Sequence, residues 1–276
     1  MRAALVQLTS SDDPEANLSE TRMHVGNAAR AGAELVLTPE VTNCVSSSRE
    51  RQNEVLRPED EDPTLQALRD DAERLSVWIV IGSLALKSGD PDGRFANRSF
   101  LINAQGEIVA RYDKIHMFDV NISEKETYRE SDGYRPGSRA ALANTPFGRI
   151  GLTICYDMRF PALYRRLAQA GADILTAPAA FSPVTGAAHW ETLLRARAIE
   201  TGAFVLAPAQ TGTHSATRGN VRKTYGRSLA VAPWGEVLAD GGTDPGVTLV
   251  ECDLGKVASA RQRVPSLSHD RPFEGP

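Results

Sequence analysis

Apolar and polar residues alternate along the chain in short blocks. Ala3-Ala4-Leu5-Val6-Gln7-Leu8 is a continuous apolar run with one polar interruption, which predicts a buried strand. Asp13-Pro14-Glu15 then supplies a side-chain cap, a first-turn proline and an acid at the positive end of the helix dipole. The predicted helix carries Leu18, Val25, Ala28 and Ala29, and Gly32 suits its stop. Leu35-Val36-Leu37 is the second strand, running into Pro39-Glu40. A helix opened by Asp62-Pro63 follows, then a strand over Val77 to Gly82, and a hairpin of Arg98 to Asn103 with Ile108 to Tyr112.

The second half repeats the alternation. Ile150 to Cys155 reads as a strand, Pro161 to Ala170 as a helix and Asp173 to Ala177 as a strand. Ala187 to Thr201 is helical and ends at Gly202; Phe204 to Ala207 is extended. Leu229 to Ala232 and Glu236 to Ala239 form a hairpin about Pro233-Trp234-Gly235, and Val247 to Cys252 closes the series. Strands outnumber helices and are apolar throughout rather than alternating. That pattern predicts an α/β fold with helices covering the sheet faces. Two stretches, Thr42 to Glu61 and Phe118 to Pro146, lack periodicity and follow strand ends, where active-site loops sit.

Composition narrows the classes. At 276 residues the chain corresponds to about 1.8 typical domains; with no linker, repeat or low-complexity tract, one domain over 1–276 is expected. A net charge of −4 argues against a general nucleic-acid binder. No apolar run is long enough to span a membrane, and the N-terminus lacks the features of a signal peptide. Three cysteines are too few for a disulfide framework and point to a reducing, cytoplasmic setting. Dinucleotide, P-loop and elbow-serine motifs are missing, as are clustered zinc ligands, so no cofactor and no metal are expected.

Three residues close predicted strands. Cys155 stands at a strand-to-helix turn, where a nucleophile gains exposure and nearby backbone N–H groups. Glu40 has apolar or small flanks that would desolvate a basic carboxylate, and Lys114 follows the first hairpin. Taken singly, each has a plainer reading: a buried thiol, a solvated acid, a surface lysine. Cys44 and Cys252 fit that plainer reading.

In the order Glu, Lys, Cys, at successive strand ends, the three resemble the nitrilase superfamily of carbon–nitrogen hydrolases. The surrounding words match too: Leu37-Thr38-Pro39-Glu40, Tyr112-Asp113-Lys114-Ile115-His116 and Ile154-Cys155-Tyr156-Asp157-Met158-Arg159-Phe160-Pro161. So do Ala187-Ala188-His189-Trp190-Glu191, Arg195-Ala196-Arg197-Ala198-Ile199-Glu200 and Pro233-Trp234-Gly235-Glu236-Val237. The resemblance runs from Gln7 to Pro272 and is nearest the branch of ω-amidases and deaminated glutathione amidases.

The resemblance implies a four-layer αββα sandwich and a homodimer. It implies an amidase that cleaves the terminal carboxamide of a small carboxylate-bearing acid, giving the acid and ammonia through a thioester. In that scheme Glu40 is the base, Cys155 the nucleophile, and Lys114 with the Tyr156 backbone N–H the oxyanion site. Glu130, in the word Tyr128-Arg129-Glu130-Ser131, would orient Lys114 and the substrate amide. Arg159, Phe181 and Thr185 would bind substrate, the arginine by its fork on a carboxylate; an ion pair of Arg159 with Asp157 is the competing reading. α-Ketoglutaramate, α-ketosuccinamate and deaminated glutathione fit. The alternatives are a nitrilase or N-carbamoyl hydrolase of the same superfamily, or a non-catalytic binding protein on the same fold. Cys155-Tyr156-Asp157 in place of the nitrilase word Cys-Trp-Glu favours an amide. The basic segment Thr211 to Lys223 either meets a second carboxylate of a larger substrate or is a solvated loop.

Overall fold

The computed structural model describes residues 1–123 and 126–275. Its elements are β1 (Arg2–Gln7), α1 (Pro14–Arg30), β2 (Leu35–Leu37), α2 (Arg49–Val55), α3 (Pro63–Leu75), β3 (Trp78–Lys87), β4 (Phe95–Ile102) and β5 (Ile108–Asp113). There follow β6 (Asp119–Ser123), β7 (Glu126–Arg129), β8 (Ala141–Thr145), β9 (Gly148–Leu152), α4 (Pro161–Gln169), β10 (Ile174–Thr176) and α5 (Pro183–Thr201). The chain ends with β11 (Phe204–Ala207), β12 (Thr211–His214), β13 (Arg222–Tyr225), β14 (Leu229–Val231), β15 (Val237–Asp240), β16 (Gly246–Glu251) and α6 (Gly255–Arg263).

Two six-stranded sheets carry the fold, ordered β16-β1-β2-β3-β4-β5 and β15-β14-β11-β10-β9-β8. Strand pleating explains how they stack. In β1, Ala3 and Leu5 join Leu35, Leu37 and Val80 in a core shared with Ile150, Ile174 and Phe204 of the other sheet. Ala4 and Val6 point the opposite way and pack with Val25 and Ala28 of α1 and Leu65 and Leu68 of α3. Tyr164 of α4 and Trp190 and Leu194 of α5 belong to the core of the second sheet. The layers are therefore helix, sheet, sheet, helix. Strands buried on both faces have no polar face to show, which is why their sequences are unbroken apolar runs.

Helix starts follow their caps. Asp13 accepts from the N–H groups of Glu15 and Ala16 ahead of α1, and Asp62 from that of Leu65 ahead of α3. The two aperiodic stretches hold more order than their sequences suggest: α2 lies in the first, and the β6–β7 hairpin and β8 in the second. The strand before Cys155 ends earlier than expected, at Leu152, and Cys155 opens a short 3-10 turn. Among the described residues, no helix is long and apolar enough to cross a membrane.

One position sets how closely the layers meet at their ends. A Cβ placed on Gly82 of β3 would lie 2.0 Å from the Thr38 carbonyl oxygen, 2.5 Å from that of Pro39 and 2.5 Å from the Cβ of Pro178. Two of those atoms are backbone and the third is a ring carbon, so none can swing aside. Gly82→Ala is expected to lower the thermal unfolding midpoint, by an overpacking cost on the order of 1–3 kcal/mol. It should also displace the turn that carries Glu40. An unchanged midpoint would show that the approach relaxes freely.

Candidate active site

Glu40 lies on a turn beyond β2 that is clamped to β3. The N–H groups of Val41 and Thr42 donate to the side chain and carbonyl of Ser83, at 2.8 and 2.9 Å, and Gly82 donates to the Thr38 hydroxyl at 3.1 Å. The clamp holds Val41 at φ 47°, a left-handed conformation uncommon for a β-branched residue. Lys114 follows β5 and takes its place through its backbone, its N–H donating to the Asn97 carbonyl at 2.9 Å. Glu130 opens a 3-10 turn after β7.

The turn bearing Cys155 is braced by one carboxylate. Asp157 is fully buried and accepts from the Ile154 N–H at 2.9 Å, the His116 N–H at 3.0 Å and the Tyr112 hydroxyl at 2.7 Å. The Cys155 N–H donates to the Pro178 carbonyl at 2.9 Å, leaving Cys155 at φ 48°. Both Val41 and Cys155 thus sit in strained backbone beside the same cavity, a state that persists only where surrounding contacts enforce it. The next N–H, that of Tyr156, falls in the first turn of a helix, where no helical carbonyl is available to it.

These elements meet around a cavity of about 510 Å³ lined by Glu40, Lys114, Glu130, Cys155, Tyr156 and Phe181 among others. Lys114 is 2% exposed and its Nζ donates to Glu40 Oε1 at 2.9 Å and to Glu130 Oε1 and Oε2 at 2.9 and 2.8 Å. Glu40 Oε2 accepts from the Ala180 N–H at 2.8 Å, and Glu130 Oε2 from the Phe118 N–H at 2.6 Å. The Cys155 thiol lines the same cavity beside the Glu40 carboxylate.

Burial alone would push the Glu40 carboxyl up. The Lys114 ammonium outweighs it, aided by Arg222 and the Cys155 thiol, and holds the carboxyl below its usual value. Burial would likewise discharge Lys114, but Glu130 and Glu40 keep it charged far above neutral pH. Burial and the adjacent Glu40 carboxylate raise Cys155 well above an ordinary thiol. The resting pair is therefore a neutral thiol beside a carboxylate base, the arrangement that general-base activation of a nucleophile needs.

The other expected residues divide. Phe181 lines the cavity and packs against Trp190 at 5.2 Å between ring centroids. Arg159 stands beside the cavity, its guanidinium 5.4 Å from the Phe181 ring and 5.8 Å from the Tyr156 ring, and one nitrogen is 3.1 Å from His189 Nδ1. The described partners of Asp157 do not include Arg159. Thr185 sits in the first turn of α5, its hydroxyl 3.5 Å from the Ser182 carbonyl. Arg195 and Arg197 anchor α5, donating to the carbonyls of Gly235 at 2.9 Å and Met158 at 2.7 Å.

The carbon–nitrogen hydrolase family pattern matches residues 2–262. The chain belongs to the carbon–nitrogen hydrolase family. It is an enzyme acting on carbon–nitrogen bonds. It is 40% identical over 269 residues to the deaminated glutathione amidase of Yersinia enterocolitica, covering 97% of this chain and 92% of that one. Its structure is similar to the NitFhit protein of C. elegans, with a TM-score of 0.89 at 36% identity, over 98% of this chain and 65% of that one. It is similar as well to an amidase from Nesterenkonia sp. AN1, with a TM-score of 0.78 at 25% identity, over 96% and 98% of the two chains. In that amidase structure, a variant, acrylamide has undergone Michael addition at the active-site cysteine.

In this carbon–nitrogen hydrolase the sequence reading passed over Asn97. Its Nδ2 donates to Glu40 Oε1 at 3.0 Å and to Glu130 Oε1 at 3.3 Å, tying the two carboxylates together, and the residue is 2% exposed. A polar residue in the apolar strand Phe95-Ala96-Asn97 was the available signal. Asn97→Ala removes a donor to charged Glu40, so the acid limb of the kcat/KM profile should move to higher pH and kcat should fall about 10-fold or more. A loss of thermal stability with an unmoved acid limb would mean that Asn97 only fills space.

Proposed function

We propose that this chain is a thiol-dependent amidase acting on a small carboxylate-bearing amide, with α-ketoglutaramate, α-ketosuccinamate and deaminated glutathione as the fitting substrates. The observation that carries this reading is the convergence of Glu40, Lys114 and Cys155 on one cavity, with Lys114 bonded to Glu40 at 2.9 Å. The names of the curated relatives support the choice of amide.

Glu40 takes the Cys155 proton as sulfur attacks the amide carbon. Because the thiol is raised and the carboxyl lowered, proton transfer accompanies the attack rather than preceding it. Lys114 Nζ and the Tyr156 N–H stabilise the oxyanion. The intermediate collapses as protonated Glu40 returns its proton to the leaving nitrogen, and a thioester remains. Glu40 then deprotonates water for the second attack, and the departing thiolate recovers the proton. The sum is amide plus water giving acid plus amine. Glu130 and Asn97 keep Lys114 and Glu40 aligned. Ammonia is the amine only for primary amides; the scissile amide of deaminated glutathione is secondary and releases a dipeptide, so ammonia release does not report on it.

The chain works as one domain over 1–276, since the cluster draws on both halves of the sequence. Three unpaired, buried cysteines support a cytoplasmic setting. Exposed Val184 and Ile199 on α5, with nearby Trp234, support a homodimer through this helical face. Light scattering should then give about twice the 29.8 kDa chain mass; a monomer at micromolar concentration would overturn the dimer.

Product analysis on the three amides, with a nitrile and an N-carbamoyl acid as controls, tests the activity. Cys155→Ala should lower turnover by at least roughly 10³-fold. It should also abolish labelling by an electrophilic amide such as acrylamide, since only Cys155 has Glu40 beside it to take its proton during attack, and burial pushes Cys44 and Cys252 up to about 12. Retained turnover in that variant, or hydrolysis of the controls alone, would defeat the reading.

A further inference from the structure

Among the described residues, the cavity is lined by three basic side chains, Lys114, Arg129 and Arg222. Lys114 is held by two carboxylates. Arg129 is turned onto its own hairpin, donating to the carbonyls of Val120 and Tyr128 and to Asn121 Oδ1, at 3.2, 2.7 and 2.8 Å. Arg222 is different. One of its terminal nitrogens donates to the Ala180 carbonyl at 2.7 Å, and no described carboxylate forms an ion pair with it. A guanidinium carries five N–H donors in a planar fork, so most of this one remains free to meet a ligand.

Arg222 is also firmly placed. The Thr211 to Lys223 segment is not a loose loop: β12 pairs with β13, His214 opposite Arg222. His214 is 1% exposed and sits 2.7 Å from both the Ser10 carbonyl and the Thr224 hydroxyl. Its burial lowers it to about 4, so at neutral pH it is uncharged and neither repels nor neutralises Arg222. The tip of the hairpin is tied down by Asp12, which accepts from the N–H and the hydroxyl of Thr217, both at 2.8 Å. The Tyr225 N–H donates to the Phe181 carbonyl at 2.9 Å, fixing β13 along the cavity wall.

The side of the cavity matters. Ala180 binds Glu40 through its N–H and Arg222 through its carbonyl, so the guanidinium stands on the Glu40 side. In amide hydrolysis Glu40 returns its proton to the leaving nitrogen, which puts the leaving group on that same side. The acyl half faces Cys155. A cavity of about 510 Å³ is in the range of sites for ligands larger than a primary amide.

We propose that Arg222 binds a carboxylate carried by the leaving group, so that among amides with the same acyl half the enzyme favours one whose leaving group ends in a free carboxylate. This inference rests on the amidase reading above. It answers for the basic segment: one residue of it, Arg222, meets substrate, while Arg218 is drawn off at 2.9 and 2.7 Å by Glu50 and Glu54.

Three substrates with the same α-ketoglutaryl acyl half separate the possibilities. The first leaves as ammonia, the second as cysteinylglycine, and the third as cysteinylglycine amide, which lacks the terminal carboxylate. The readout is the ratio of kcat/KM for the second to that for the third, in which any loss common to both cancels. The wild type should favour the free carboxylate by roughly 10- to 100-fold, mainly in KM, as expected for a hydrogen bond between charged groups. In Arg222→Gln the ratio should fall close to one, and Arg222→Lys should restore part of it. A wild-type ratio near one overturns the proposal. So does an undiminished ratio in Arg222→Gln, which would mean that the arginine acts only through Ala180 and Glu40. If the primary amide is cleaved and neither peptide amide is, the proposal falls and the amidase reading stands. If none of the three is cleaved, both fall.

Discussion

A single buried ammonium organises this molecule. Lys114 is out of contact with water and is shared between Glu40 and Glu130. Taking three ionised groups into a protein interior is strongly unfavourable unless each finds its partners, and removing one leaves an uncompensated charge. The surrounding structure is therefore devoted to satisfying them. Ala180 and Phe118 offer backbone N–H groups to the carboxylates, and Asn97 bridges them. None of these donors is on the same turn as the group it serves. The cluster can form only when two sheets, a hairpin and several strand-end turns have all taken their places.

The same constraint explains how chemistry becomes possible at neutral pH. Lys114 keeps Glu40 ionised despite its burial, and Glu40 in turn keeps the thiol of Cys155 protonated. In the proposed mechanism a thiolate is thus produced only as it is consumed, against a substrate carbon already in place. A free, low-pKa thiolate in the same position would be open to oxidation and to adventitious electrophiles.

Much of this was legible in the sequence, for definable reasons. Strands buried on both faces declare themselves as apolar runs, and Asp13-Pro14 and Asp62-Pro63 announce their helices through local hydrogen bonds. Glu40, Lys114, Glu130 and Cys155 were found from their words and order, and the fold brings all four together. What stayed hidden depends on contacts across long stretches of chain. The β6–β7 hairpin has little apolar content and is set by its place over the cavity. Asn97 shows locally only as a polar residue in a strand and Arg222 only as one cation of a basic segment; their significance comes from carboxylates and carbonyls 33 to 57 and 42 residues away. Arg159 and Thr185 illustrate the converse: the resemblance picked them out, yet neither lines the cavity, and their described hydrogen bonds run to His189 and Ser182.

Gly82 has a wider meaning than its own tight fit. With backbone from the Glu40 turn on one side and Pro178 on the other, it is a mechanical stop between the two halves of the sandwich. The Pro178 carbonyl also receives the Cys155 N–H, so the stop limits how closely Cys155 and Glu40 can approach. Smaller apolar residues elsewhere between the sheets cannot draw the pair together past this contact. A lower bound on their spacing is thus set by backbone rather than by side-chain packing.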